Sequence, residues 1–200
     1  MNDLITKQLI EKTINNISAT YSTLTDECKS DFAQAAKVFS VEKAKILVKE
    51  GQNADKMLFL IEGCIRVYYL KDGKDISDWF AFENEFVCSI NSFFLSIPSP
   101  HYVQALEPTT YLEISRETAF KLMEKHHCFE TLTRKTITQI TLQLQSRIVS
   151  HQFETAQQKY DNLLKSRKDI TQRVPLSHIA SYLGITLETL SRIRNPKNRI

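Results

Sequence analysis

The residues best placed to do chemistry lie near the end of the chain, between Pro175 and Arg194. Leu187, Glu188, Ser191, Arg192 and Arg194 share one face of a short helical segment, while Leu190 and Ile193 occupy the other. An arginine presented this way can bond guanine O6 and N7 in bidentate fashion, and a glutamate can accept from cytosine N4. Ser177, Thr186, Thr189 and Arg194 supply further donors, to be divided between bases and phosphates,. These positions are the candidate DNA contacts. The elements that must hold them are also legible. Pro175 suits a helix start, where its missing N–H costs nothing. Leu176, Ile179, Ala180 and Leu183 form one apolar face,. Gly184 allows the positive φ of a tight turn, and Thr186 is placed to cap the second helix. The segment reads as a helix-turn-helix.

Charge supports that reading. The chain has 200 residues, is 42% hydrophobic and 24% charged, and carries a net charge of +3. That charge is uneven: residues 128–200 hold twelve Lys and Arg against five Asp and Glu, a net +7, whereas residues 1–127 carry −4. A basic C-terminal part fits phosphate contact, which supplies most non-specific DNA affinity. Arg192, Arg194, Lys197 and Arg199 sharpen it.

Other chemistries find less support. The four cysteines (Cys28, Cys64, Cys88, Cys128) are far apart and include no CxxC pair, which argues against a zinc finger or iron–sulfur site,. Of the five histidines only His101 falls among the strand-like segments, so no metal site is expected, and His126-His127 reads as a surface pair at a helix end,. No GxSxG, P-loop or GxGxxG motif occurs, and no enzymatic activity or cofactor is expected. The N-terminal segment carries Asp3, Lys7, Glu11 and Lys12, unlike a signal peptide, and no apolar run approaches a membrane span,. A cytoplasmic protein without membrane contact is expected.

The remaining chain reads in three stretches. Residues 3–18 and about 25–36 have helical rhythm. From about 38 to 114 the rhythm is that of short strands: Met57 to Ile61, Ile65 to Leu70, a hairpin at Asp72-Gly73, Ile76 to Phe82, His101 to Leu106 and Thr110 to Ile114,. This spacing indicates an antiparallel barrel or jelly roll. A helix opened by Ser115 covers 115–125. Residues 129–165 contain no Gly or Pro and carry one narrow apolar stripe, Ile137, Ile140, Leu144 and Ile148. That stripe reads as the seam of a homodimer on one long helix, which can also pack on the β domain.

A β-roll, a long dimer helix and a C-terminal helix-turn-helix, in that order, resemble the Crp–Fnr family of bacterial transcription regulators over essentially the whole chain. Lys49 to Tyr68 is similar to the family's β-roll signature, with Gly51 and Gly63 flanking the apolar strand, and Glu188-Thr189-Leu190-Ser191-Arg192 resembles its recognition helix. Leu187 stands where cyclic-AMP-responsive members often have Arg, which implies a different sequence preference. The resemblance implies an α+β fold: a cyclic-nucleotide-binding-like sensor domain over 1–127, a dimerisation helix over 128–165 and a winged-helix-type DNA-binding domain over 166–200. Asn195-Pro196 and the few residues after it imply a wing that is absent or reduced to a basic tail. Double-stranded DNA, a second copy of the chain and RNA polymerase are the implied partners. The family's cyclic-nucleotide site uses a Gly-Glu pair and an Arg-Ser or Arg-Thr pair. Here Cys88-Ser89 and Ser99-Pro100 align with them, so neither the carboxylate nor the arginine is present. Phe86, Cys88, Ser89, Ser99 and His101 become the candidate effector pocket, and cyclic AMP is not the expected effector. The competing reading is a small-molecule or thiol-redox sensor, acting through Cys88, whose output is protein interaction.

Overall fold

The computed structural model describes residues 3–195. It opens with α1 (Asp3–Thr20) and α2 (Asp26–Ala35). Spacings of three and four place Ile10, Ile14 and Ile17 on the buried face of α1, while Leu4 and Ile5 stay exposed,. Thr25 starts α2, its hydroxyl accepting the N–H of Cys28 at 3.2 Å,.

Eight strands follow: β1 (Lys37–Val41), β2 (Ile46–Val48), β3 (Lys56–Glu62), β4 (Ile65–Lys71), β5 (Lys74–Ala81), β6 (Phe86–Val87), β7 (Tyr102–Ala105) and β8 (Thr109–Ser115), with the short helix α3 (Ile90–Leu95) between β6 and β7. They form two antiparallel four-stranded sheets, ordered β1-β8-β3-β6 and β2-β7-β4-β5. The result is a jelly roll of two facing sheets, not a closed barrel. Alternation along β3 explains the packing. Leu58 and Leu60 point between the sheets, against Ile65, Val67 and Val103, while Phe59 points outward into a cluster with Ile14, Ile17 and Phe32,. Leu112 and Ile114 of β8 join Phe59 outside, and Tyr111 stays inside. The first sheet is therefore buried on both faces, which accounts for the unbroken apolar run of β3. Each large side chain buried this way stabilises the fold by roughly 1.5–3 kcal/mol. The β4–β5 hairpin turns at Asp72-Gly73, both with positive φ, as an Asp-Gly turn should,.

The C-terminal third is helical: α4 (Arg116–Lys125), α5 (His127–Phe153), α6 (Ala156–Ser166), α7 (Ile170–Arg173), α8 (Leu176–Leu183) and α9 (Leu187–Arg194). Ser115 caps α4 by accepting the Thr118 N–H at 3.1 Å, as its position suggested. The single long helix expected over 129–165 is two helices. The chain leaves α5 at Glu154, and Thr155 and Gln158 form a reciprocal capping box that starts α6. A Thr-x-x-Gln signature can begin a helix without any Gly or Pro to announce the break. Beyond it, Tyr160 packs with Ile179, Leu183 and Leu190 of the helix-turn-helix. His126 also departs from expectation. It is buried, and its Nε2 lies 2.8 Å from Asp31 Oδ2, whereas His127 is exposed.

Candidate nucleic-acid interface and sensor pocket

The helix-turn-helix forms as its residues dictate. Ile179, Ala180 and Leu183 are buried on α8, and Gly184 adopts φ 66° and ψ 34°. The next N–H, of Ile185, reaches back to the Ala180 carbonyl at 3.0 Å, closing the end of α8,. Thr186 then caps α9, its hydroxyl accepting the Thr189 N–H at 3.1 Å. Leu190 is fully buried, which fixes the rotation of α9.

That rotation exposes Leu187, Glu188, Ser191, Arg192 and Arg194 together, with Thr186 at the leading end and Ser177 exposed on α8. Thr189 is half-buried and its N–H and hydroxyl both meet Thr186, so it serves the cap first. Among the described residues, Glu188, Arg192 and Arg194 form no ion pair. Lys197 and Arg199, with the tail that would replace a wing, lie outside the described residues.

The helix-turn-helix is fixed to the β-roll by contacts between residues far apart in sequence. Ser181 on α8 accepts the Ser77 N–H of β5 at 2.9 Å and donates to the Asp75 carbonyl at 3.2 Å. Tyr182 packs on Phe80, ring centroids 5.4 Å apart, and the Arg147 guanidinium lies over Tyr182 while bonding Asp78 at 2.9 Å. Beneath this junction Arg66 is buried, donating to Ser77 Oγ at 2.8 Å and Asp75 Oδ2 at 2.7 Å. A second anchor is Arg173, whose guanidinium bonds Glu83 and Asp169 and also reaches Glu107. Burial pushes the Glu83 carboxyl up, but the bonds from Arg173 and from backbone N–H groups outweigh it and hold the group down to about 2,. Arg167 bonds Glu85 at 3.2 Å, and its guanidinium sits 3.9 Å from the centre of the Phe82 ring,. Arginines and acids spread along the sequence leave no local spacing, so only the fold reveals this cluster.

The five candidate pocket residues fall into two groups rather than one site. Ser89, Ser99 and His101 are all buried. Ser89 donates to Ser99 Oγ at 2.8 Å, which donates to the His101 carbonyl at 2.8 Å. The hydroxyls therefore satisfy one another. Burial holds the His101 imidazole below its usual range, between the rings of Tyr69 and Trp79. Phe86 and Cys88 instead line a cleft of about 420 Å³ between β6, α3 and α5. Its walls include Trp79, Phe94, Leu95, Ile137 and Ile140. The α5 threonines on it, Thr133, Thr136 and Thr141, donate their hydroxyls to carbonyls four residues earlier on their own helix,. Burial pushes the Cys88 thiol up to about 12, which disfavours its thiolate,.

Neither group offers a cation. A cyclic phosphate placed here would lose its hydration without a charged partner, at a cost of several kcal/mol. Cyclic AMP is expected to leave the melting temperature unchanged in thermal-shift titration, and a rise that saturates at micromolar nucleotide would contradict this.

The expected seam on α5 is partly open. Ile137, Leu144 and Ile148 are exposed and Ile140 is half-buried, while Leu142, Val149 and Phe153, spaced seven and four, form a second exposed apolar stripe on another face of the helix,. Ile137, Ile140 and Leu144 also border the cleft against the roll, so the stripe faces its own domain as well as solvent.

Residues 38–126 match the family described as Cyclic nucleotide-binding domain. No curated protein sequence matches the chain. Among solved structures, FixK2 from Bradyrhizobium japonicum is 21% identical, with a TM-score of 0.65 over 80% of this chain and 82% of that one. A mutant of CooA from Carboxydothermus hydrogenoformans is 17% identical, with a TM-score of 0.67 over 91% and 82%. The c-di-GMP responsive global regulator CLP from Xanthomonas campestris is 14% identical, with a TM-score of 0.63 over 84% and 89%. The Crp–Fnr resemblance therefore holds in the fold: a jelly roll, a long helix and C-terminal helices in the same order. No helix among the described residues is long and apolar enough to cross a membrane.

Proposed function

We propose that this chain is a sequence-specific transcriptional regulator of the Crp–Fnr type, without enzymatic activity, which binds double-stranded DNA as a homodimer. The observation that carries the reading is the exposed face of α9, where Glu188, Arg192 and Arg194 form no ion pair among the described residues, on a helix whose rotation is fixed by Leu190 and whose start is fixed by Thr186. The exposed apolar band of α5 supports pairing of two copies,. Two recognition helices about 34 Å apart would then meet successive major grooves of a near-palindromic site. Residues 1–127 act as the sensor, α5 as the dimer helix, and the C-terminal helices as the DNA-binding unit, with RNA polymerase a further partner at a regulated promoter. The effector is something other than cyclic AMP, and the uncharged cleft beside Cys88 is where it would enter.

The test is selection of bound fragments from a random DNA pool by the purified protein. A two-fold symmetric motif is expected. Arg192→Ala should weaken binding by roughly 1–3 kcal/mol and relax one position in each half-site. An unaltered motif in the variant would remove Arg192 from base reading. Recovery of a single asymmetric half-site would count against the dimer.

A further inference from the structure

Cys28 and Cys128 are remote in sequence and meet in the fold. Cys28 sits in the first turn of α2, fully buried. Cys128 is the second residue of α5 and is half-buried. Cys128 packs against the same buried cluster that contains Cys28. Thr25 joins the two positions: its hydroxyl accepts the Cys28 N–H at 3.2 Å and lies 3.8 Å from Cys128 Sγ. The structure thus brings two free thiols, one of them reachable from solvent, to a shared threonine at the first turns of two helices.

We propose that Cys28 and Cys128 are a peroxide-sensitive dithiol that closes to an intramolecular disulfide between α2 and α5.

The surroundings assign the two sulfurs different roles. Burial pushes the Cys128 thiol up, but bonds from the Thr25 backbone, the Cys28 thiol and the Thr25 hydroxyl outweigh it and hold the group below its ordinary value. The positive end of the α5 helix dipole favours the same anion. Burial, the bond to Cys128 and the nearby charges of Asp31 and Glu27 push the Cys28 thiol up to about 12, so it stays protonated. Cys128 is the attacking sulfur and Cys28 the resolving one. The Cys128 thiolate attacks a peroxide oxygen; an S–O bond forms, the O–O bond breaks, and hydroxide leaves to become water. The Cys28 sulfur then attacks the sulfenic sulfur of Cys128. The S–S bond forms, the S–O bond breaks, and a second water leaves with the thiol proton. The dithiol loses two electrons and the peroxide gains them. Cys64 and Cys88, both pushed up to about 12 by burial, have no thiol neighbour among the described residues and remain reduced.

The bond would tie α2 to the first turn of the helix that bears the apolar band and leads to the DNA-binding motif. That consequence rests on the proposed function; the disulfide does not.

The experiment uses the full chain and hydrogen peroxide near stoichiometric amounts, followed by denaturation, alkylation with N-ethylmaleimide and peptide mass mapping. The expected product has two alkylated thiols, Cys64 and Cys88, and one cross-linked peptide pair joining Cys28 to Cys128 within a single chain, reversed by dithiothreitol. In Cys28→Ser the oxidation should stop at a sulfenic acid on Cys128, captured by dimedone. In Cys128→Ser, a change at a half-exposed position, Cys28 should remain alkylatable. Four alkylated thiols after peroxide, a bond involving Cys64 or Cys88, or a link only between chains would each overturn the proposal. DNA binding is read in a separate assay, so its failure leaves the mass result standing.

Discussion

Arg173→Ala is expected to lower stability by roughly 2–3 kcal/mol at neutral pH and to weaken DNA binding although the residue is remote from α9. Its guanidinium donates to both oxygens of Glu83, at 2.9 and 2.5 Å, to Asp169 at 3.1 Å and to Glu107 at 3.0 Å. Removing it leaves three carboxylates facing one another around a vacated site. Full burial would make the loss larger, but the carboxylates are partly solvated, and that screening discounts it. Arg173→Lys should be intermediate, since one ammonium cannot reproduce the fork.

The acid dependence follows from Glu83. Its carboxyl is held at about 2 in the fold against an ordinary 4.5. A depressed carboxyl contributes stability that is complete above its unfolded value and is lost as pH falls through its folded one. The wild-type contribution should therefore fade from about pH 4.5 towards about pH 2. In Arg173→Ala the burial that pushes Glu83 up is opposed only by backbone N–H donors, and the gap between variant and wild type should shrink across that window. Urea denaturation of both proteins at neutral and at acid pH measures this gap. An equal gap at both would show that the Arg173 cluster contributes nothing through charge. DNA affinity is the second readout. Glu83 and Glu107 belong to turns of the roll, whereas Arg173 ends the helix just before α8. Without the anchor, the recognition helices must be positioned at the moment of binding, and affinity carries that ordering cost.

Much of this could be read from residues in order, because the physics is local. The Pro175, Gly184 and Thr186 signals marked the helix-turn-helix within a residue or two, and Asp72-Gly73 marked the hairpin. The order of roll, helix and motif was legible for the same reason. What stayed hidden depends on approach in space. The break at Thr155 was written as a capping box, but an apolar stripe on one side and the absence of Gly or Pro favoured one continuous helix. The strands β2 and β6 are too short to show a period,. Cys88 drew interest because it aligned with a ligand position, whereas Cys28 and Cys128 carry no local signal and come together only in the fold. His126 read as a surface residue because its partner, Asp31, comes from a different helix.

Gly63→Ala should be the most damaging small substitution in the roll, costing on the order of 3–5 kcal/mol or preventing folding altogether. Gly63 joins β3 of one sheet to β4 of the other, with φ 108°, a conformation that L side chains rarely adopt. A Cβ there would press on the Thr109 hydroxyl and lie 2.7 Å from Thr109 Cα, at the start of β8. Rotating a side chain cannot relieve a clash with backbone, so either the corner or β8 must move. Gly73 supplies the control. Its φ is 74°, but nothing lies within 4 Å of an added Cβ, so Gly73→Ala should cost only about 1–2 kcal/mol of backbone strain,. Urea denaturation of the two variants separates strain from collision, and equal costs would mean that the corner does not press on Thr109. The effect should extend to the C-terminal helices, because the Gly63 N–H donates to Glu83 Oε1 at 3.0 Å, the same carboxylate that Arg173 holds. A displaced corner withdraws one of the donors that keep Glu83 ionised. A milder variant, Thr109→Ser, removes only the Thr109 methyl, keeps the hydroxyl that donates to the Glu107 carbonyl and leaves Gly63 untouched, so it should leave the link intact. In a double-mutant cycle, Gly63→Ala and Arg173→Ala should therefore couple by more than about 0.5 kcal/mol, whereas Thr109→Ser and Arg173→Ala should add independently. Strict additivity in the first cycle would show that the roll's corner and the anchor of the helix-turn-helix do not communicate through Glu83.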